Sequence, residues 1–347
     1  MNVLLLTSTA DTRVKAGVET YNQYLKKIFP GLEIIGYETV RPSAFEWFSP
    51  LKEPLKANAI GSYVKENIGK LRPGLVITNG MYGWSLTERD TNCPIVNISH
   101  GGFVGLALNA IRKTTLEFYR TMIVYSFFEK LSAKNASVVV ANSHLTMELN
   151  KKYYGVGSTV IHNPVDTKTF APTGKKKARK KLGLPEGKKI GLFVGRQEYQ
   201  KGFDLFEKIA RMRPEICFIS ITFPKTRSGM INITGALAKN RKELALYYSA
   251  ADFVLFPSRF EGFGFVPIEA LSCNTPVISS DVGVVKELSI DGLEKVPSLY
   301  IEDWLMAIDR VISKKRKVAP SEAIGKRFGF GAFRDEFLAL TSRLAKN

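Results

Sequence analysis

A chain of 347 residues with 45% apolar side chains has room for two ordinary domains with sizeable cores, which excludes a disordered chain. Its formal net charge of +18 favours polyanionic partners (phosphates, nucleic acid or an anionic membrane surface), or else serves only solubility. Cys93, Cys217 and Cys273 lack metal-ligand spacing, no apolar run approaches the ~18 residues of a spanning helix, and the first residues lack a signal peptide's basic start, so the expectation is a cytoplasmic protein that meets membranes only at their surface.

Residues 3–6 form a short continuous apolar run, expected as a central parallel strand. Val18, Tyr21, Leu25 and Ile28 then recur at helical spacing, with Gly17 close to the helix start and Glu19 in the first turn. The intervening loop, 7–17, is long for a strand–helix unit and is a candidate ligand loop. Further apolar runs at 32–35, 75–78, 94–99 and 137–141, several separated by helical patterns, argue for a doubly wound α/β sheet. His100, with Gly101 and Gly102 after it, closes the run 94–99 at the strand edge where such sheets bind ligands; a merely local hydrogen bond is the plainer alternative. The stretch 111–134 mixes Arg112, Lys113, Arg120, Lys130 and Lys134 with Phe118, Tyr119, Tyr125, Phe127 and Phe128. It reads either as a long packed helix with a solvated basic face or as a basic, aromatic helix lying on an anionic bilayer. Pro172, Gly174 and the cationic run 175–181 make the best linker candidate.

The second half opens with an apolar run at 189–194, followed by Gly195, Arg196, Lys201 and Gly202 before a helical pattern from Phe203. Two cations at a strand's C-terminal edge suit a diphosphate, Arg by its planar fork and Lys as a point charge, although the spacing is not that of a Walker loop. Strand-like runs at 216–221 and 230–233 and a helix at 239–249 come next.

The stretch 252–271 organises this half. An apolar run, 252–256, feeds a glycine-spaced loop of Glu261, Gly262, Phe263 and Gly264, and a helix opens near Val266 because Pro267 suits a first helical turn. Strand, glycine loop and helix N-terminus together seat an anion. Glu261 and Glu269 would repel phosphate but suit hydroxyl donors, so the seat fits a ligand with both, a nucleotide sugar. The plainer alternative is a strand–turn–helix unit whose Glu only favours the helix dipole. A strand at 276–279, its exit loop 281–283 and helical patterns at 300–312 and 333–344 complete the chain, with a basic run at 314–317.

These residues resemble a large family of retaining, nucleotide-sugar-dependent glycosyltransferases, the fourth in the usual classification, over residues 1 to about 345. The Glu-x7-Glu hallmark is met by Glu261 and Glu269, the Gly-Arg-x5-Lys-Gly element by Gly195, Arg196, Lys201 and Gly202, and a third element by Asn163, Pro164, Val165 and Asp166. Glu243 and the segment 248–252 match the signature before the hallmark. Ala16 stands where the family shows the first of two glycines, and Pro164 and Val284 also replace glycines.

The resemblance implies a GT-B fold: two Rossmann-like, doubly wound parallel-sheet domains facing across a cleft. The acceptor-binding domain would span 1–167, rejoined by a helix at about 331–347, and the nucleotide-sugar domain 168–330. It further implies that Gly17, Arg196 and Lys201 hold the donor diphosphate. Glu269 would hold the ribose, Glu261 with the backbone of Gly262, Phe263, Gly264 and Phe265 would hold the donor sugar, and His100 would contact the transferred sugar, His100 and Glu261 being the catalytic pair. No cofactor or metal is implied; a UDP- or GDP-linked sugar is the substrate, and a sugar or lipid-linked hydroxyl the acceptor. Retention of configuration follows from the resemblance and is supported by the lack of an evident base near His100, where Asp11 and Glu19 are the only candidates by motif. An anionic membrane surface is a candidate partner and nucleic acid is not. The competing reading is a basic nucleic-acid- or membrane-surface-binding protein on an inactive GT-B fold.

Overall fold

The computed structural model describes residues 2–9, 17–40, 51–113, 115–222, 233–236, 238, 240–314 and 319–344. Most of the candidate ligand loop, with Asp11 and Ala16, lies outside them, as do residues 230–232 of one expected strand and 315–317 of the last basic run. The chain forms two compact units, Met1–Asn163 with Phe333–Asn347, and Pro164–Ala332.

The first unit holds a parallel sheet of β1 (Val3–Leu6), β2 (Glu33–Ile35), β3 (Leu75–Asn79), β4 (Ile95–Ser99), β5 (Val138–Ala141) and β6 (Thr159–Val160), ordered β2-β1-β3-β4-β5-β6. Every position of β1, β3 and β4 is buried, as continuous apolar runs covered on both faces require. The helix Gly17–Ile28 packs Tyr21, Tyr24 and Leu25 inward. The chain returns to this unit at its end. Phe333 and Phe337 of the helix Phe330–Leu344 are buried, with Phe333 edge-on to Tyr21 at 5.4 Å and Phe337 to Phe29 at 6.1 Å.

The second unit holds β7 (Ile190–Val194), β8 (Cys217–Ile221), β9 (Ile233–Ala236), β10 (Phe253–Phe256), β11 (Val277–Ser280) and β12 (Leu293–Val296), again all parallel, ordered β12-β11-β10-β7-β8-β9. Renumbered within the unit this is 3-2-1-4-5-6, the order of dinucleotide-binding sheets. An aromatic layer fills one face: Phe193 packs tilted on Phe206 at 4.9 Å and Phe206 meets Phe218 edge-to-face at 5.7 Å, with the helix Phe203–Met212 supplying Phe203, Phe206 and Ile209.

The cationic run expected as a linker is instead a helix, Lys175–Leu182, inside the second unit. Arg179 is 4% exposed, and Asp252 draws it inward. That carboxylate accepts from Arg179 Nη2 and Lys175 Nζ, each at 2.7 Å, and from the Ile190 amide. Arg179 also donates to the carbonyls of Ala250, Pro185, Glu186 and Lys188. A guanidinium satisfied on every side can be buried, whereas an unpaired one cannot.

In both sheets the strand order reverses once, between β1 and β3 and between β7 and β10. Loops leaving the C-terminal ends of such neighbours diverge and leave a crevice for ligand. In the second unit these are the loops that carry Arg196 with Lys201, and Glu261.

Candidate active site

In the second unit the sequence-predicted residues collect at that reversal point. Gly202, at φ +69°, lets the loop after β7 touch the loop after β10: a Cβ there would lie 2.0 Å from the Pro257 carbonyl oxygen. The two loops are then stitched together. The Arg259 amide donates to Gln200 O at 2.8 Å, and the Arg259 guanidinium forks onto Asp204 at 2.7 and 2.8 Å and onto the Tyr199 carbonyl. It also lies over the Tyr199 ring at 3.7 Å. The loop after β11 joins through Gly283, at φ +55°, whose Cβ would meet Phe263 O at 2.3 Å; the next amide, Val284, donates to that carbonyl.

On this frame Glu261 Oε1 accepts from Lys201 Nζ at 2.7 Å and Ser258 Oγ at 2.8 Å. Its other oxygen has no partner among the described residues and so can accept a ligand hydroxyl. Arg196 sits on the same loop as Lys201 but is largely solvated, paired with Glu198 at 2.8 Å. An exposed pair of this kind contributes little, so an anion can recruit the guanidinium at small cost. Phe263 is buried against Phe265 and Phe328, so only its backbone is placed to meet a ligand. The helix opens at Phe265, one residue before Val266, behind Gly264 at φ +90°, a residue with no side chain to cap it. Its N-terminal amides therefore carry the helix's positive end toward the crevice.

Glu269 lies on the same helix and is 7% exposed. Its Oε2 accepts from Tyr248 OH at 3.0 Å and its Oε1 from Arg241 Nη2 at 3.3 Å. Burial pushes its carboxyl up to about 7, against the pull of Arg241 and Tyr248. Neither partner was read from the sequence as part of the site. Tyr248 stood inside a quoted signature segment, and its helical register with the strand after it was the available signal.

In the first unit Gly17 is the exposed first residue of its helix. His100 follows β4 and its Nε2 meets Asn79 Oδ1 at 2.9 Å. Asn79 Nδ2 donates to Asn22 Oδ1 at 2.8 Å, and Asn22 Nδ2 to Thr7 Oγ1 at 3.4 Å. This relay ties the ends of β1 and β3 and the helix Gly17–Ile28 to the imidazole. An acceptor opposite Nε2 makes that nitrogen the donor and leaves Nδ1 as the acceptor. Burial pushes the ring's pKa down to about 4, so it is neutral at pH 7.

Glu129 is the residue that sequence reasoning missed here. It sits 4% exposed on the helix Ser126–Asn135, where Oε2 accepts from the Phe103 amide at 2.8 Å and from Tyr154 OH. It thereby supplies the cap that Gly102 cannot give to the helix Phe103–Ala110. Its place inside a stretch read as basic and aromatic concealed it. A carboxylate thus does lie beside the His100 loop, but it is occupied in holding that loop, and burial raises its pKa. Among the described residues no group of three or more His, Cys, Asp or Glu is arranged to hold a metal ion.

Two Rossmann-like units, each a six-stranded parallel sheet with helices and one with the strand order of dinucleotide-binding sheets, define the GT-B fold class. Solved structures share this fold: sucrose-phosphate synthase from Thermosynechococcus elongatus (TM-score 0.83, 20% identity, 99% of this chain and 98% of that one) and Anabaena HepE in complex with UDP-glucose (TM-score 0.75, 17% identity, 99% and 100%). Residues 14–169 match the family described as Glycosyltransferase Family 4, and residues 188–314 the one described as Glycosyl transferases group 1. The chain belongs to this glycosyltransferase family.

Among curated relatives it is 31% identical to the lipopolysaccharide core biosynthesis mannosyltransferase LpsB of Rhizobium meliloti, over 52% of this chain and 56% of that one. It is 32% identical to the D-inositol 3-phosphate glycosyltransferase of Mycobacteroides abscessus, over 49% and 42%. The chain thus spans about half the length of the curated relatives it matches.

Proposed function

We propose that this protein is a retaining hexosyltransferase that moves a sugar from a UDP- or GDP-linked donor to the hydroxyl of a sugar or lipid-linked acceptor. The observation that carries the reading is Glu261 at the strand-order reversal of the second unit, one oxygen held by Lys201 and Ser258 and the other without a partner among the described residues, next to a helix N-terminus that opens behind Gly264. In this reading Lys201 and Arg196 take the diphosphate, and its two negative charges replace the carboxylates they now face. Glu269 accepts from the ribose hydroxyls. Glu261 and the backbone of Gly262, Phe263, Gly264 and Phe265 accept and donate to the donor sugar. Gly17 contacts phosphate and His100 the transferred sugar.

The chemistry is the departure of a nucleoside diphosphate, helped by cations and helix dipole without a metal, and delivery of the acceptor proton to the leaving phosphate on the same face. Retention is favoured because an inverting transfer needs a free general base on the acceptor side. His100, its pKa pushed down to about 4 by burial, is too weak a base, and Glu129 is committed to Phe103 and Tyr154. The work would be done in the cytoplasm, in glycan, polysaccharide or glycolipid synthesis. The competing reading, a binding protein on an inactive fold, is not favoured by the kinship with mannosyl- and glycosyltransferases.

The deciding experiment incubates the protein with UDP- and GDP-hexoses and acceptors and reads the product's anomeric proton by NMR. The donor's anomeric configuration should persist. An inverted product would overturn the mechanism, and no transfer together with no thermal shift by UDP or GDP would overturn the enzyme.

A further inference from the structure

The helical stretch 116–135 carries a row of large apolar side chains on its solvent face. It runs as the helix Leu116–Tyr119, a π-helical turn Arg120–Tyr125 and the helix Ser126–Asn135. The side chains it buries fully are small or polar, namely Thr121, Ser126, Glu129, Ser132 and Ala133, while Tyr125 and Phe128 are half-buried against Phe103 and Trp84. The ones it exposes are Leu116 (82%), Tyr119 (53%), Ile123 (62%) and Phe127 (54%). Steps of three, four and four residues put these four on one stripe. A helix packed on a soluble protein shows the reverse pattern.

Three of the buried polar side chains, Glu129, Ser132 and Ser126, have hydrogen-bond partners. Glu129 accepts from Phe103 N and Tyr154, Ser132 Oγ accepts from Gly83 N and Asn97, and Ser126 donates to Met122 O. The outward stripe is therefore not a displaced core face. Single exposed apolar residues need no explanation, but a contiguous row does. Leu116 is the most exposed large apolar side chain among the described residues.

The surrounding charge selects the occupant. Exposed Arg112 and Lys113 precede the stripe, Lys130 and Lys134 continue it three and seven residues past Phe127, and Glu117 is the exposed acid among them. A second copy would bring another +18 to the contact, so self-association is disfavoured, whereas an anionic lipid surface complements both the stripe and its flanks. No helix among the described residues is long and apolar enough to cross a membrane, which leaves attachment at the surface.

We propose that this helix docks the protein on an anionic bilayer, with Leu116, Ile123 and Phe127 among the acyl chains, Tyr119 at the interface, and Arg112, Lys113 and Lys134 on lipid phosphates. The inference stands independently of the transferase reading, since it concerns lipid binding and not turnover.

The test is flotation of the intact protein with phosphatidylcholine vesicles, with and without phosphatidylglycerol, at low and high salt. The parent should float with anionic vesicles, be released as salt rises, and ignore neutral ones. The variant Leu116→Gln, Ile123→Gln, Phe127→Gln should lose at least about tenfold in vesicle affinity at unchanged Tm, because an interfacial helix binds in proportion to its buried apolar area. The charge variant Lys113→Glu, Lys134→Glu should bind more weakly at low salt. No flotation of the parent at low salt, equal flotation with neutral vesicles, or parent-like binding by the apolar variant would each overturn the proposal. A dimer in light scattering that the apolar variant abolishes would give the stripe to a second copy instead.

Discussion

Glu269 shows how burial and binding share one side chain. Its carboxyl, pushed up to about 7, is neutral when the folded protein is at pH 5 and ionised at pH 8, whereas an unfolded Glu ionises near its ordinary 4.5. The folded state therefore holds the proton more tightly, so this group's contribution to stability is complete below about 4.5 and is lost as pH rises through about 7. At about 1.4 kcal/mol per pKa unit the contribution is on the order of 3 kcal/mol. We expect Glu269→Gln to remove that component, so that the difference in Tm between variant and parent shifts in the variant's favour from pH 5 to pH 8. Thermal melts across that range check it, and parallel curves would show that Glu269 does not titrate there. The same substitution should weaken UDP or GDP but not free pyrophosphate, which has no ribose.

Much of this was legible: Glu261, Lys201 and Glu269 stood out because carboxylates and cations spaced by glycines after apolar runs are chemically pointed. Their partners were not. Tyr248 reaches Glu269 from 21 residues away along the chain, a separation no loop or helix period suggests, while Ser258 reaches Glu261 from only 3; Glu129, across 26 residues from the Phe103 amide it holds, was hidden in the same way as Tyr248.

At the scale of elements, strands announced themselves wherever the sheet is covered on both faces, as in β1, β3, β4 and β10. The edge strands β6 and β12 did not. One is two residues long, and the other, Leu293–Val296, is only half-buried and carries Glu294 and Lys295. Loops gave their chemistry but not their mutual contact, which rests on glycines at positive φ. We expect Gly202→Ala and Gly283→Ala each to cost the second unit at least about 2 kcal/mol, combining a left-handed backbone with a Cβ driven onto a carbonyl. Gly187→Ala, at a position with nothing within 4 Å, should stay within about 0.5 kcal/mol. Urea unfolding followed by tryptophan fluorescence at the buried Trp304 measures all three. Equal midpoints would mean that the loops are not held together by that close approach.

For the molecule as a whole, alternating strands and helices read correctly as doubly wound α/β architecture, and the strand orders that create the two crevices could only be learned from pairing. The division of the chain is also asymmetric: Pro164–Ala332 is contiguous, but the first unit needs Phe333 and Phe337 from far along the chain. Removing a buried Phe costs about 3–5 kcal/mol, and two such losses rival the whole stability of an ordinary domain. A chain stopped at Ala332 should therefore keep hydrogen-exchange protection in β7, β10 and β11 and lose it in β1 and β3. Protection retained in β1 and β3 would show that the first unit stands without the terminal helix.

That last helix also sets a timetable. During synthesis the sheet made from the earliest residues cannot close its core until residues 333–337 have left the ribosome. The later sheet has every strand in hand by Val296, and its supporting helices by Phe328. Nascent Leu4, Leu6 and Tyr21, buried in the finished protein, spend that interval short of their cover. The half of the molecule that is born first is thus the half that matures last, and it is the half for which a chaperone has the most time to compete.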